Sequence, residues 1–470
     1  TDPGRLARGR SYARAGQDKG EVELHLGDPE QEIFLLHRLG SLRAPLLWAG
    51  DWHRLATSVF LHAGWTHFLM NLFGLFLFGF FVERRIGSRR TALLFATSAL
   101  VGNAVFVQRR PWEYCVGASG ALYGMVAVFV AYDSGLHARR PGELLFDRRF
   151  WFVSLMLFAF DVGAAEGLSL PIAPEAHWAG YGAGIAFGWL VLSEGRPRLR
   201  RVARAVAGIA FAASLALAIR PVYLPGYRLW VADRTFVTED SRAGLAAYLE
   251  LHERGVEGSG LRVALAEYET SGPVPALERL DALPEEERSS IAGRYLRIDA
   301  LDDLARKPEA DAAFDELLAE MEEAVGEGPW LDNAFAMACA DHRRQLPEAH
   351  VRMYRLLLSD PALDPEKIDT IGWVELVSGE REDGLLALQA SWAMYPEAAI
   401  AYHLSEAHAQ LDDVARAREF LALAFDPKRN LQLGMPGSNL LDVVRARRLG
   451  ARLAARPVSA TKVDELSASR

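Results

Sequence analysis

Cysteine is scarce in this sequence, and its scarcity excludes two common ways of stabilising a fold. Only Cys115 and Cys339 occur among 470 residues, and two thiols are too few for a disulfide framework or a zinc site. The sequence also lacks a His-Glu-x-x-His motif, and the five-residue spacing of His62 and His67 places them on different faces of a helix. We therefore expect neither a metal ion nor a cofactor.

The chain also lacks a strong excess of charge of one sign. Its formal net charge is −9, and a mildly acidic chain argues against nucleic-acid binding. We find no signal peptide. The chain starts at Thr1 rather than at a methionine, and we expect a processed or truncated product.

Charge is nearly absent from six apolar segments, which predict membrane-spanning helices. Several are shorter than the ~20 residues that an isolated spanning helix needs, but a bundle that thins the bilayer locally tolerates short spans. The segments are Thr66 to Val82, Thr91 to Val107, Ser119 to Tyr132, Phe150 to Ala165, His177 to Ser193 and Ala205 to Ile219.

Arginine-rich loops orient these segments. Residues 83–90, 137–149 and 194–204 are dense in arginine, whereas residues 162–176 contain no lysine or arginine. Because arginine-rich loops stay in the cytoplasm, the helices that begin at Ser119 and at His177 should start from the outer side. The sequence predicts a multi-pass membrane protein.

Polar side chains within apolar segments are costly, so each is a candidate for function. His67 and Asn71 are four residues apart and share one helix face. Ser119 lies between glycines in VGASGALYG, and His177 begins the apolar part of EAHWAGYGAGIAFG. Small residues at i and i+4 spacing allow membrane helices to approach closely. The glycines around these two residues are Gly117, Gly120, Gly180 and Gly184.

These side chains include the parts needed for acyl transfer. A neutral histidine within hydrogen-bond reach makes a serine nucleophilic, and Asn71, His67 and the Ser119 N–H would stabilise an oxyanion. Taken singly, each motif also fits plain helix packing. We interpret Asp161 as an interfacial or bundle-facing carboxylate rather than a third catalytic group.

Taken together, the motifs resemble the rhomboid family of intramembrane serine proteases. The resemblance rests on LHAGWTHFLMNLFGLFLFG (61–79), VERRIGS (82–88), GASGALYG (117–124) and EAHWAGYGAGIAFG (175–188). It implies Ser119 as nucleophile, His177 as general base, and a dyad without an acid. It further implies oxyanion donors at His67 and Asn71, and a Tyr123 ring stacked on the histidine.

The resemblance implies an intramembrane serine endopeptidase that cleaves transmembrane segments of membrane-protein substrates in the lipid bilayer. A bacterial inner or plasma membrane is the expected location. The alternative is a catalytically silent, rhomboid-like adaptor that recruits a protein partner through its C-terminal half. A transporter or channel is a third possibility, but the sequence has no paired broken helices.

The C-terminal half predicts amphipathic helices without strands. Positions around Ile371 and Leu388 recur 33 residues later around Leu404 and Leu421, a period that resembles tetratricopeptide repeats. An irregular helical bundle is the alternative. We expect His342, His350, His403 and His408 to be solvated.

The predicted fold class is all-α, with a polytopic, rhomboid-like transmembrane bundle followed by a helical-repeat domain. The resemblance implies a first transmembrane helix, which we expect upstream of this sequence. The predicted segments are an extracytoplasmic juxtamembrane segment (1–50), a rhomboid protease core (51–195), an additional transmembrane helix with a basic anchor (196–221), a linker (222–239), the tetratricopeptide-like domain (240–455) and a tail (456–470).

Overall fold

The computed structural model of the protein describes residues 29–133, 147–163, 172–192, 197–325, 328–359, 364–430, 432–435 and 440–456. Within these ranges the chain is helical and contains no β-strand, and one isolated antiparallel bridge joins Leu42 to Cys115. The all-α prediction is confirmed. The chain forms two compact units, one over residues 32–224 and the other from residue 225 onward.

The first unit is a helical bundle. Its helix α4 contains a wider π-helical turn at Leu75–Gly79, and α8 continues as a π-helical turn at Gly188–Leu192. In chain order the helices are α1 (Pro29–Leu39), α2 (Ala44–Trp48), α3 (Arg54–Thr57), α4 (Gly64–Ile86), α5 (Ser88–Arg109), α6 (Ser119–Asp133), α7 (Arg148–Val162), α8 (Pro174–Phe187) and α9 (Pro197–Ile219).

Local sequence explains where these helices begin and end. Gly87 adopts φ +81°, a left-handed conformation that separates α4 from α5. Asp147 caps α7, since its carboxylate accepts hydrogen bonds from the backbone N–H groups of Arg149 and Phe150. Pro174 occupies the first turn of α8, where its missing N–H removes no hydrogen bond.

Among the residues that the structure describes, three helical segments are long and apolar enough to cross a bilayer, namely Gly64–Ile86, Ser88–Arg109 and Arg201–Ile219. A shorter apolar helix covers Ser119–Tyr132. These four contain the spans predicted at 66–82, 91–107, 205–219 and 119–132. The spans predicted at 150–165 and 177–193 correspond to α7 and α8, but residues 164, 165 and 193 lie outside the described residues.

Large apolar side chains cover the outer surface of the bundle. Phe76 is 72% exposed on α4, Phe152 is 68% exposed on α7, and Ile209 is 70% exposed on α9. On α4, Phe73 and Phe80 are exposed on the same face as Phe76, and an apolar stripe of this kind is uncommon on soluble monomers. It suits contact with lipid chains, which are as apolar as these side chains.

Helix α6 lies at the centre of the bundle. Its side chains are buried along most of its length, including Ala121, Met125 and Val128. It packs against α5 and most closely against α8. At that contact a Cβ on Gly180 would overlap the Gly120 carbonyl group. The two backbones therefore touch directly, which fixes the first turn of α8 beside the first turn of α6.

The second unit consists of further helices, many of them packed as consecutive pairs along the chain. They are α10 (Pro225–Thr238), α11 (Ser241–Glu253), α12 (Ser259–Thr270), α13 (Pro273–Ala282), α14 (Glu285–Arg288), α15 (Ile291–Asp303), α16 (Lys307–Val325), α17 (Pro329–His342), α18 (Leu346–Ser359), α19 (Pro365–Val377), α20 (Arg381–Met394), α21 (Ala398–Gln410), α22 (Val414–Ala424) and α23 (Leu441–Ala454).

Two successive helix pairs repeat at the predicted period. Helices α19 and α21 begin at residues 365 and 398, and α20 and α22 begin at residues 381 and 414, so both intervals are 33 residues. Within the first pair, Gly372 and Gly384 bring the two backbones together, since a Cβ on either would lie within 3.0 Å of the other's carbonyl oxygen. The tetratricopeptide assignment stays a prediction.

The predicted linker at 222–239 is wrong, because most of it forms helix α10. Trp230 is 1% exposed and Phe236 is fully buried, so the segment belongs to the core of the second unit. Its proline and glycine residues lie at the first turn of the helix, where they favour initiation rather than an extended linker.

The expectation of solvated histidines is wrong for three of the four residues. His342, His403 and His408 are buried, whereas His350 is half-buried. His403 stacks on Trp373 with ring centroids 4.2 Å apart, and its Nδ1 lies 3.0 Å from both carboxylate oxygens of Asp369. Stacked helix pairs bury two faces of each helix, so an amphipathic pattern read for one helix in isolation underestimates burial.

Candidate active site

Ser119 begins helix α6 directly after a glycine turn. Gly117 adopts φ +113°, a conformation that favours glycine, and its N–H donates to the Ser58 carbonyl oxygen at 2.9 Å. The preceding Cys115 is held by its bridge to Leu42. Ser119 itself is half-buried. The turn therefore holds the serine hydroxyl at the head of the central helix and leaves it partly accessible.

His177 faces Ser119 from the first turn of α8. Its Nε2 lies 2.7 Å from Ser119 Oγ, and the residue is only 4% exposed. The ring of Tyr123 stacks on the imidazole, with centroids 4.3 Å apart and planes 15° from parallel. The structure thus brings together the serine and histidine that the sequence places on facing helices and the tyrosine whose stacking the resemblance implies.

A carboxylate lies on the far side of the imidazole. Asp161, in the last turn of α7, is 1% exposed, and its Oδ1 lies 3.0 Å from Nδ1 of His177. The same oxygen accepts a 2.5 Å hydrogen bond from the Tyr123 hydroxyl. The resemblance implies a Ser–His dyad without an acid. In the structure, by contrast, a carboxylate lies beside the histidine. Asp161 faces the bundle interior, one of the two positions expected for it.

Asp161 left a weak signal in the sequence. It is the single acidic residue in FWFVSLMLFAFD (150–161), and a charged group at membrane depth is costly unless it has a partner. Because of that cost, Asp161 could have been recognised from the sequence as a candidate functional residue. Its partner could not be inferred, because helix rotation and the path between α7 and α8 decide which side chain it meets.

His67 and Asn71 lie beside the glycine turn that precedes Ser119. Asn71 is 6% exposed, and its Nδ2 donates to the His67 carbonyl oxygen at 3.0 Å. A Cβ on Gly117 would lie 2.7 Å from Nε2 of His67 and 3.7 Å from Nδ2 of Asn71. Both nitrogens therefore lie against the Gly117 backbone, two residues from the serine.

Of the glycines predicted to support the site, Gly120, Gly180 and Gly184 lie between α6 and α8. A Cβ on Gly184 would overlap the Gly124 carbonyl group, and one on Gly120 would lie 3.1 Å from the Ala176 carbonyl oxygen. Gly102 of α5 approaches that same oxygen, at 2.8 Å from its added Cβ. These contacts set the distance between the helices that carry Ser119 and His177.

The arrangement has the geometry for a proton relay from a hydroxyl to an imidazole. A neutral imidazole whose Nδ1–H donates to a carboxylate presents an unprotonated Nε2 to the hydroxyl. Within the part of the chain that the structure describes, no group of three His, Cys, Asp or Glu side chains is placed to hold a metal ion.

Comparison with known proteins assigns a family to this region. Residues 49–194 match the model of the Rhomboid domain. YdcA, a rhomboid of Bacillus subtilis, is 43% identical over 82 residues, which cover 17% of this chain and 41% of that protein. RHOMBOID-like protein 6 of Arabidopsis thaliana is 29% identical over 164 residues, covering 34% of this chain and 50% of that protein.

Rhomboid-like protease 3 of Toxoplasma gondii is 26% identical over 161 residues, covering 34% of this chain and 58% of that protein. The chain therefore spans about half the length of these curated relatives. Some are named as proteases and others only as rhomboid-like proteins.

Proposed function

Since this chain belongs to the rhomboid family of integral, multi-pass membrane proteins, we propose that it is an intramembrane serine endopeptidase. The observation that carries this proposal is the 2.7 Å contact between Ser119 Oγ and Nε2 of His177 inside a bundle with a lipid-compatible surface. A serine becomes a nucleophile when a neutral base lies within hydrogen-bond reach.

In the proposed reaction, Ser119 Oγ attacks the carbonyl carbon of a peptide bond in the substrate. The Oγ–C bond forms, the carbonyl π electrons move to its oxygen, and the hydroxyl proton passes to Nε2 of His177. When the C–N bond breaks, His177 returns that proton to the departing amine. Water then attacks the acyl-enzyme by the same path in reverse.

The oxyanion formed in the attack needs hydrogen-bond donors. The Ser119 backbone N–H and the side chains of Asn71 and His67 are the candidates, because both side chains lie against Gly117. Donors already in place stabilise the developing charge without reorganising, and losing one costs about 10²–10³ in turnover.

Substrates of the proposed enzyme are transmembrane proteins cleaved near the outer leaflet of a bacterial plasma membrane. If the arginine-rich loops stay in the cytoplasm, the start of α6 lies on the outer side, where the half-buried Ser119 would be accessible. By the same rule α9 carries the helical-repeat half to the outside, where it would engage a protein partner or substrate. Protease added to intact spheroplasts should then digest the chain beyond residue 224. If that part of the chain survives, it lies on the cytoplasmic side.

A cleavage assay tests the proposal. The full chain, reconstituted in liposomes with a transmembrane reporter protein, should cleave the reporter, and Ser119→Ala and His177→Ala should each abolish cleavage. Ser98→Ala is the matched control, because Ser98 is a buried serine of the same bundle. Chelators should have no effect. Cleavage that persists in Ser119→Ala would refute the protease assignment and favour an adaptor role.

A further inference from the structure

We propose that Asp161 is a positioning residue for the catalytic histidine, so that the site operates as a Ser119–His177–Asp161 triad. The inference rests on the proposed function, since it concerns the base of that same reaction. Three observations support it: the distance from the carboxylate to Nδ1 of His177, the shared hydrogen bond with Tyr123, and the burial of the carboxylate.

The first step is the protonation of the imidazole. Neutral histidine carries one ring proton, and a carboxylate is only an acceptor. With Oδ1 of Asp161 at 3.0 Å from Nδ1, the proton is favoured on Nδ1, and the lone pair of Nε2 is left facing Ser119 Oγ at 2.7 Å. That tautomer accepts the hydroxyl proton, whereas the other tautomer cannot.

The second step is how the carboxylate is held. The Tyr123 hydroxyl donates a 2.5 Å hydrogen bond to the same Oδ1, and the Tyr123 ring stacks on the imidazole at 4.3 Å. One side chain of α6 therefore fixes both the plane of the histidine and the oxygen that receives its proton. Residues held in this way need little reorganisation when charge develops on the imidazole.

The third step concerns the free-energy cost of burying the carboxylate. Asp161 is 1% exposed, and its Oδ2 is buried and has no hydrogen-bond partner among the described residues. A buried polar atom left unpaired costs free energy and calls for an explanation. An imidazolium forms at His177 during attack, and a nearby negative charge in a medium of low dielectric stabilises it strongly.

Asp161 takes no proton in this scheme. The Ser119 proton moves to Nε2, the Nδ1 proton stays on Nδ1, and the carboxylate remains ionised throughout. Its contribution is to hold the tautomer and to stabilise the cation. If it only anchored Tyr123, replacing it would lower stability without changing the protonation of His177.

Asp161→Asn tests the inference, with Ser154→Ala as its matched control. Ser154 lies on the same helix, is buried, and forms a 2.9 Å hydrogen bond with Tyr181, so its loss removes one buried polar contact away from His177. In Asp161→Asn, an amide NH2 group in place of Oδ1 would donate to Nδ1 and favour the proton on Nε2, and it would also remove the acceptor of the Tyr123 hydroxyl. We expect kcat to fall by on the order of 10²- to 10⁴-fold, with KM within a few-fold of wild type and a melting temperature close to that of Ser154→Ala, since each variant loses one buried hydrogen bond.

The ring nitrogens of His177 give a readout that a structural role would not change. In 15N-histidine-labelled protein, with the His177 signals assigned by their loss in His177→Ala, the wild type should show a protonated Nδ1 and an unprotonated Nε2. Asp161→Asn should reverse the pattern, and Ser154→Ala should leave it unchanged. If Asp161→Asn melts well below Ser154→Ala, Tyr123→Phe replaces it as the variant, and kcat should fall about tenfold with the ring still stacked, as the loss of one hydrogen bond predicts.

The outcomes separate the two proposals. A wild-type chain without Ser119-dependent cleavage overturns the proposed function and this role with it. Ser119-dependent cleavage combined with an Asp161→Asn kcat within twofold of Ser154→Ala, or with an unchanged nitrogen pattern, overturns the triad alone and leaves a Ser–His dyad.

Discussion

A single methyl group added at Gly180 should separate the helices that carry the catalytic pair. The Cβ of Gly180→Ala would lie 2.8 Å from the carbonyl carbon of Gly120 and 3.2 Å from its Cα, and it would overlap the carbonyl oxygen. These are backbone atoms, so no side chain can rotate away. Gly182 on the same helix is exposed, with no atom within 4 Å of an added Cβ.

The size of the expected loss of activity and stability in Gly180→Ala follows from these distances. Carbon atoms in contact are about 3.5–4.0 Å apart, so α6 and α8 must separate by roughly 1 Å at this contact. His177 lies one turn from Gly180, and its 2.7 Å contact with Ser119 would open by a comparable amount. A misplacement of about 1 Å can cost 10²-fold in rate, and forced overpacking costs about 1–3 kcal/mol.

The assay compares Gly180→Ala with Gly182→Ala. Both replace a helical glycine by alanine, which alone stabilises a helix by about 1 kcal/mol, so the difference between them isolates the steric cost. We expect Gly182→Ala to match or exceed the wild-type melting temperature and to keep full activity. Gly180→Ala should lose both stability and about 10²-fold in kcat. Equal stability and activity in the two variants would refute the close backbone contact.

Three further predictions follow from other contacts. Asn71→Ala should lower kcat about 10²-fold and leave the melting temperature unchanged, as the loss of one oxyanion donor does; an unchanged kcat would remove Asn71 from the site. Asp233→Ala should destabilise the second unit by about 3–5 kcal/mol in chemical denaturation, because it leaves the buried Arg262 without the carboxylate that it contacts at 2.6 and 2.9 Å; a loss under about 1 kcal/mol would contradict this reasoning. Burial lowers the pKa of His403, but the Asp369 carboxylate more than offsets this and raises the pKa above its ordinary value. The contribution of His403 to the stability of the second unit should therefore be fully present below about pH 6.5 and be lost as the pH rises through the raised pKa, and thermal melts of His403→Gln should show a smaller loss of stability over that rise.

The parts of the site that lie on short motifs could be predicted from the sequence. Ser119, Tyr123 and Gly120 lie within about one helical turn, and His177 and Gly180 share another, so helical periodicity alone sets their relative positions. The close packing of the two helices follows from the size of their glycines. The same small residues indicated that these two helices meet, and the resemblance implied the roles of their side chains.

Asp161 could not be placed in this way. It precedes His177 by 16 residues and belongs to a different helix, so the distance between them depends on how α7 rotates against α6 and α8. The position of its hydrogen bond to Tyr123 is likewise a tertiary property. The sequence showed that a carboxylate was present at a costly depth, but not which side chain offsets the cost.

The second unit shows a related limit. Trp230 lies in a stretch with proline and glycine that is typical of a linker, yet it is almost completely buried. His403 lies on a helix whose pattern indicates a solvated face, yet it stacks on Trp373 of the helix at the preceding repeat position. Both errors arise because stacked helices bury surface that only their neighbours define.

The most direct test of the central claim is the position of a covalent adduct. The full chain in detergent would be treated with a fluorophosphonate, digested and analysed by mass spectrometry, with Ser98→Ala and His177→Ala treated in parallel. The account predicts one adduct, on Ser119, that persists in Ser98→Ala and is lost in His177→Ala. An adduct on another serine, or labelling of Ser119 that is independent of His177, would contradict it.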